Sequence, residues 1–147
     1  MGPIVVALDA SPRAAKVLRA AQDIAVQTGA PLVLVRAIAL PHEIQRATAP
    51  LTPADLSLSL AREAREELAS MEATLPPEQR GGVRVAEGVP WEFICETARS
   101  LDARLIVIGA HGFGFWDRLL GTTSSRVVNH ADRSVLVVRD HPAPSAP

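Results

Sequence analysis

Five short runs of nearly unbroken apolar residues punctuate the chain, and they limit its fold more than any other feature. They are Ile4–Leu8, Leu32–Ile38, Val83–Ala86, Leu105–Ile108 and Val135–Val138, interrupted only by Arg36 and Arg84. Such runs are too short for helices. Without polar alternation and rich in β-branched side chains, they suit strands buried on both faces. Between them, apolar residues recur every three or four positions. The sets are Ala14, Val17, Leu18, Ala21, Ile24 and Ala25; then Leu56, Leu60, Ala64, Leu68 and Met71; then Trp91, Ile94, Cys95, Ala98 and Leu101. That spacing makes one apolar stripe on a helix. A fourth helix is predicted over Thr122–Ala131. Buried strands alternating with amphipathic helices imply an α/β fold, an open five-stranded parallel sheet with helices on both faces. There is no internal repeat and no linker. One domain is therefore expected over residues 1–140, and the proline-rich residues 141–147 form a tail expected to be disordered.

Local punctuation sets the boundaries. Ser11 and Pro12 suit the start of the first helix and Gly29 its end. Residues 40–51 hold two prolines and no period, which predicts a loop. Thr52-Pro53-Ala54-Asp55 has the pattern of a capped helix start. Pro76, Pro77, Gly81 and Gly82 are expected to end that helix, and Gly88-Val89-Pro90 leads into the next.

Composition removes several functional classes. The 147 residues carry a formal net charge of −1, which argues against a broad basic face for nucleic acid. No apolar run approaches the ~20 residues of a membrane span. The first strand starts too near Met1 for a secretory signal, and Val6 stands where a myristoylation motif needs Ser or Thr. The single cysteine, Cys95, cannot form an internal disulfide or a Cys-rich zinc site. A cytoplasmic location is the expectation. Cys95 reads first as a buried structural thiol, with a redox sensor as the alternative.

In an open parallel sheet, ligands bind beyond the carboxyl ends of the strands, where strand order reverses. The segments to inspect are therefore Leu8-Asp9-Ala10-Ser11, Arg36-Ala37-Ile38 and Gly109-Ala110-His111-Gly112-Phe113-Gly114. Gly109 and Gly112 let a ligand approach the backbone. After a gap of eight residues, Gly121-Thr122-Thr123-Ser124-Ser125 opens a helix, whose start suits phosphate. The competing reading is tight turns and helix capping. For Asp9 it is a turn residue helping to cap the first helix. Phe113, Phe115 and Trp116 read as an aromatic flap, first of all packed on the protein. Arg118 and Arg126 either neutralise phosphate or are simply solvated. His111 lacks neighbours at metal-ligand spacing. Walker-type and His-x-Gly-His motifs are absent.

The runs Ile106-Val107-Ile108-Gly109-Ala110-His111-Gly112, Gly121-Thr122 and Val135-Leu136-Val137-Val138-Arg139 together resemble the universal stress protein family. So does the opening Val5-Val6-Ala7-Leu8-Asp9-Ala10-Ser11, and so does Gly88-Val89-Pro90 with Ile94 and Ala98. The resemblance spans residue 3 to about 139. Its nucleotide-binding branch carries Gly-x-x-Gly, nine residues, then Gly-Ser or Gly-Thr; this chain keeps the three glycines with a gap one residue shorter. The resemblance implies strand order 3-2-1-4-5, as in the adenine nucleotide α hydrolase-like fold. It implies an adenine nucleotide as ligand: ATP, or AMP or ADP, with Mg2+ as an optional companion. In that reading Asp9 contacts the adenosine, Ala37 lines the base pocket, and Ile108 and Gly109 flank the adenosine. Gly112, Gly121, Thr122 and Thr123 receive phosphate, and Ala7, Leu8, His111 and Ser124 complete the set. The implied role is a stress-response sensor or regulator with an unidentified protein partner, dimerising through Ser134–Arg139. The alternatives are a nucleotide-independent dimeric interaction module and a slow ATPase. The retained glycines favour the sensor, and the lack of an evident base, electrophilic lysine or metal cluster disfavours an enzyme.

Overall fold

A computed structural model describes residues 2–39, 52–110 and 120–140. Along the chain run β1 (Ile4–Ala7), α1 (Ala14–Thr28), β2 (Leu32–Ile38), α2 (Pro53–Ala73), β3 (Arg80–Glu87), α3 (Pro90–Ser100), β4 (Leu105–Gly109), α4 (Thr122–His130) and β5 (Val135–Val138). The five strands form one parallel sheet in the order β3-β2-β1-β4-β5. The expected architecture and strand order are both present. The predicted 40–51 loop and the 141–147 tail lie outside the described residues.

The central strands are apolar throughout because both of their faces are covered. On one face Ile4, Val6, Leu32, Leu34 and Val107 pack with Val17, Leu18 and Ala21 of α1 and Leu68 of α2. On the other face Val5, Val33, Val35, Ile106 and Ile108 pack with Ile94, Cys95 and Ala98 of α3 and Val127 of α4. Successive residues of each strand thus serve opposite halves of the core. Cys95 belongs to the second half. Burial pushes its thiol above the usual range, with Arg99 opposing and Asp132 adding to the shift. A protonated, enclosed thiol fits the structural reading.

Three local features depart from the sequence expectations. Ser11 does not cap α1: the helix begins at Ala14, its N-cap is Arg13, and no side chain caps it. Ser11 serves the turn ahead of the helix: its hydroxyl donates to Asp9 and its Oγ accepts from the Arg13 N–H at 3.3 Å. The third strand is twice the predicted Val83–Ala86, running eight residues from Arg80. Gly81 and Gly82 do not end the preceding helix, which stops at Ala73. They form an irregularity in β3, where the pairing shifts between Leu32↔Arg80 and Leu34↔Val83. Gly82 has φ 105°, open to glycine at little cost. A Cβ at Gly81 would lie 2.7 Å from the Leu32 carbonyl oxygen. The predicted cap of α2 is present: Thr52 Oγ1 accepts from the Asp55 N–H (3.1 Å) and the Thr52 N–H donates to Asp55 Oδ2 (3.3 Å).

Candidate functional site

The register of the three central strands fixes where the chain leaves the sheet. Ala7 is level with Val35 and with Ile108, so Leu8-Asp9, Arg36-Ala37 and Gly109 emerge side by side. A cavity of about 190 Å3 opens there. Ala7, Leu8 and Asp9 come to it from the end of β1, Val35, Arg36 and Ala37 from β2, and Ile108 and Gly109 from β4. Helices close the sides: Arg13, Ala14 and Val17 from α1, Pro90 and Ile94 from α3, and Thr123 and Ser124 from α4. The walls combine apolar methyls with a few directed polar groups, the usual make-up of a small-ligand site.

Asp9 lines this cavity as the second residue after β1. Its Oδ1 accepts from the Ser11 N–H at 2.9 Å and the Ser11 hydroxyl at 2.6 Å. That is an Asx turn, so part of the turn reading of Asp9 holds. Oδ2 has no hydrogen-bond partner among the described residues. The carboxylate is thus oriented by one oxygen and offers the other.

The end of β4 and the start of α4 meet. The Gly121 N–H donates to the Ala110 carbonyl at 3.0 Å, and the Ala110 N–H donates to Val138 at 2.9 Å. The start of α4 is therefore pinned beside the end of β4, although the gap between the two glycine groups is one residue short. Gly121 has φ −62° and ψ 166°, ordinary extended backbone for any residue, so no turn demands glycine there. Gly109 has a packing reason: a Cβ would come within 3.2 Å of Val17 Cγ2. Thr123 faces the cavity half-buried, whereas Thr122 is exposed and does not line it. Ser124 lines it too, but its hydroxyl donates to the Gly121 carbonyl at 3.3 Å, so its proton is used within the helix. His111, Gly112 and the aromatic stretch Phe113–Trp116 lie outside the described residues, as does Arg118.

Eight of the twelve predicted residues thus line one cavity: Ala7, Leu8, Asp9, Ala37, Ile108, Gly109, Thr123 and Ser124. Sequence reasoning gave no site role to two arginines, Arg36 in an inspected segment and Arg13 outside all of them. Arg36 reads in the sequence as a break in a strand. In the fold its guanidinium bridges the site: Nε donates to the Leu8 carbonyl (2.8 Å), Nη2 to the Asp9 carbonyl (3.0 Å) and Nη1 to Glu67 of α2. The side chain is only 11% exposed. Arg13 lines the same cavity from the start of α1 and pairs with Asp140. Its position at a helix start, four residues before a core valine, was the available signal.

The chain matches the model of the universal stress protein family over residues 1–139. It belongs to the universal stress protein family. Universal stress protein A homolog 1 of Coxiella burnetii is 30% identical over 144 residues, covering 92% of this chain and 94% of that one. The universal stress protein of Archaeoglobus fulgidus in complex with dAMP is 27% identical, with a TM-score of 0.66 over 95% of this chain and 98% of its own. A universal stress protein in complex with cAMP is 25% identical, with a TM-score of 0.62 over 94% of this chain and 97% of its own. No described helix is long and apolar enough to cross a membrane. Among the described residues no group of three or more His, Cys, Asp or Glu could hold a metal ion.

Proposed function

We propose that this universal stress protein binds an adenine nucleotide, ATP foremost, in the cavity at the carboxyl ends of β1 and β4, and acts as a nucleotide-dependent sensor. The observation that carries the reading is the convergence of Asp9, Gly109 and the start of α4 on one cavity. The dAMP and cAMP complexes of relatives support the choice of ligand. In this reading the adenosine lies among Ala7, Ala37, Val35 and Ile108, with Asp9 Oδ2 as a polar anchor. The phosphates run along Gly109 and Gly112 toward Gly121, Thr122 and Thr123. Asp9 is the one carboxylate lining the cavity among the described residues. Mg2+ arriving with a triphosphate would therefore draw most of its oxygens from phosphate and water, as this ion commonly does. A carboxylate already holding a turn is a poor candidate for activating water, so any hydrolysis is expected to fall well below the enzyme median of about 10 s⁻¹. The reduced, buried Cys95 fits a cytoplasmic setting.

Nucleotide released from denatured protein, identified by chromatography and mass, is the first test. Protein then freed of nucleotide should gain roughly 2.7 kcal/mol from ligand at about 100 times its dissociation constant. For a chain of this length that raises the melting temperature by roughly 5–10 °C. A flat melting profile with ATP and Mg2+, and equally with AMP, overturns the reading.

A further inference from the structure

We propose that Arg13 is the specificity-determining residue for the phosphate end of the ligand, and that Asp140 competes with phosphate for it. The inference rests on the nucleotide reading and adds a residue and a selectivity to it. Arg13 lines the cavity beside Asp9, at the start of α1. Val17, four residues on and so on the same helix face, is the side chain that abuts Gly109. Arg13 therefore stands one turn above the point where the glycine segment leaves β4.

The other cavity arginine is not available for a ligand. Arg36 is nearly enclosed and spends its donors on the Leu8 and Asp9 carbonyls and on Glu67. Arg13 differs in both respects. Its side chain is 53% exposed, and its Nε lies 3.4 Å from Asp140 Oδ2, just beyond the end of β5. Asp140 also receives Lys16 Nζ at 3.0 Å on Oδ1, so it keeps a cationic partner if Arg13 turns away. A half-exposed pair of this kind is weak and exchanges readily. A phosphate offers the same guanidinium a matching fork of oxygens with more charge. Adenosine presents no such group, so its binding should not draw Arg13 from Asp140.

The experiment is calorimetric titration of adenosine, AMP and ATP into nucleotide-free wild type, Arg13→Gln, Arg13→Lys, Asp140→Asn and the Arg13→Gln/Asp140→Asn double variant, each first checked for a native melt. Arg13→Gln should weaken ATP by about tenfold to hundredfold, the scale of a lost charged hydrogen bond, and leave adenosine within about twofold. Arg13→Lys keeps the charge without the fork and should fall between. Asp140→Asn should tighten ATP about threefold, and that gain should vanish in the double variant. Equal losses for adenosine and ATP in Arg13→Gln, or no loss for ATP, overturn the inference while leaving the site intact. Wild-type protein that binds none of the three ligands overturns the nucleotide reading, and the inference with it.

Discussion

Arg36 is the residue whose role is least visible in the sequence and most exposed by the fold. A guanidinium in a buried strand looks like a flaw until its donors are traced to the Leu8 and Asp9 carbonyls and to Glu67. Those carbonyls leave the sheet at the end of β1 and so have no strand partner on that side; the planar fork serves both at once. Arg36→Met should destabilise the fold by about 1–3 kcal/mol, because it removes charged hydrogen bonds to the part-buried Leu8 carbonyl and to the exposed Asp9 carbonyl. Arg36→Lys should recover little of this, since one ammonium cannot span the same acceptors. Denaturant unfolding of both variants measures it; full rescue by lysine removes the positioning role. A cycle with Asp9→Ala carries the argument to the ligand. If Arg36 acts through the β1 turn, its effect on adenosine affinity should shrink once Asp9 is gone. Asp9 itself shows how far local reading reaches. Both its turn role and its place on the cavity wall follow from standing immediately after a buried strand. The two cavity arginines did not follow, since their roles are set by neighbours 28 and 124 or more residues away, Leu8 for Arg36 and Asp140 for Arg13 and Lys16.

At the scale of elements, legibility tracks burial. The inner strand β2 begins and ends where its apolar run does, and β4 extends its run by one glycine. An element enclosed on both faces is apolar at nearly every position, so its limits are written in composition. The outer strand β3 breaks the rule. With one neighbour and weaker cover it carries Arg80, Arg84 and Glu87, and its two glycines read as breakers. The structure uses them to shift the register against β2. Gly81 has a physical reason to stay glycine, because a Cβ would strike the Leu32 carbonyl. Gly81→Ala should therefore cost on the order of 1–3 kcal/mol by local displacement of backbone. The site lies at the opposite end of the strands, so nucleotide affinity should change by less than about twofold. A melting shift without an affinity change is the expected pair of results; a variant as stable as wild type refutes the steric account. The strand order was legible only through the family resemblance. Apolar runs say that strands are parallel and buried, but several right-handed arrangements satisfy that alone.

For the whole molecule, the open question is what covers the outer edge of β5. The Ser134 carbonyl accepts from the Ile106 N–H at 3.0 Å and the Val138 carbonyl accepts from the Ala110 N–H at 2.9 Å. Backbone groups alternate in direction along a strand, so Ser134, Leu136 and Val138 face β4 while Val135 and Val137 turn their N–H and C=O outward. Among the described residues no strand pairs with that side. A row of outward donors and acceptors beside apolar side chains is a template for another strand. We expect a second copy to take it, with Ser134–Arg139 antiparallel to itself, because a two-fold axis makes one strand self-complementary. The exposed side chain of Leu136 would then gain cover. Val137→Pro is the discriminating change. It deletes a donor that points away from β4, so the internal ladder keeps its bonds while the proposed one loses some. Light scattering of wild-type protein at tens of micromolar should give twice the monomer mass, and Val137→Pro should shift the population toward monomer with its fold retained by circular dichroism. A wild-type monomer rejects the assembly outright. A folded proline variant that remains fully dimeric places the interface on another surface.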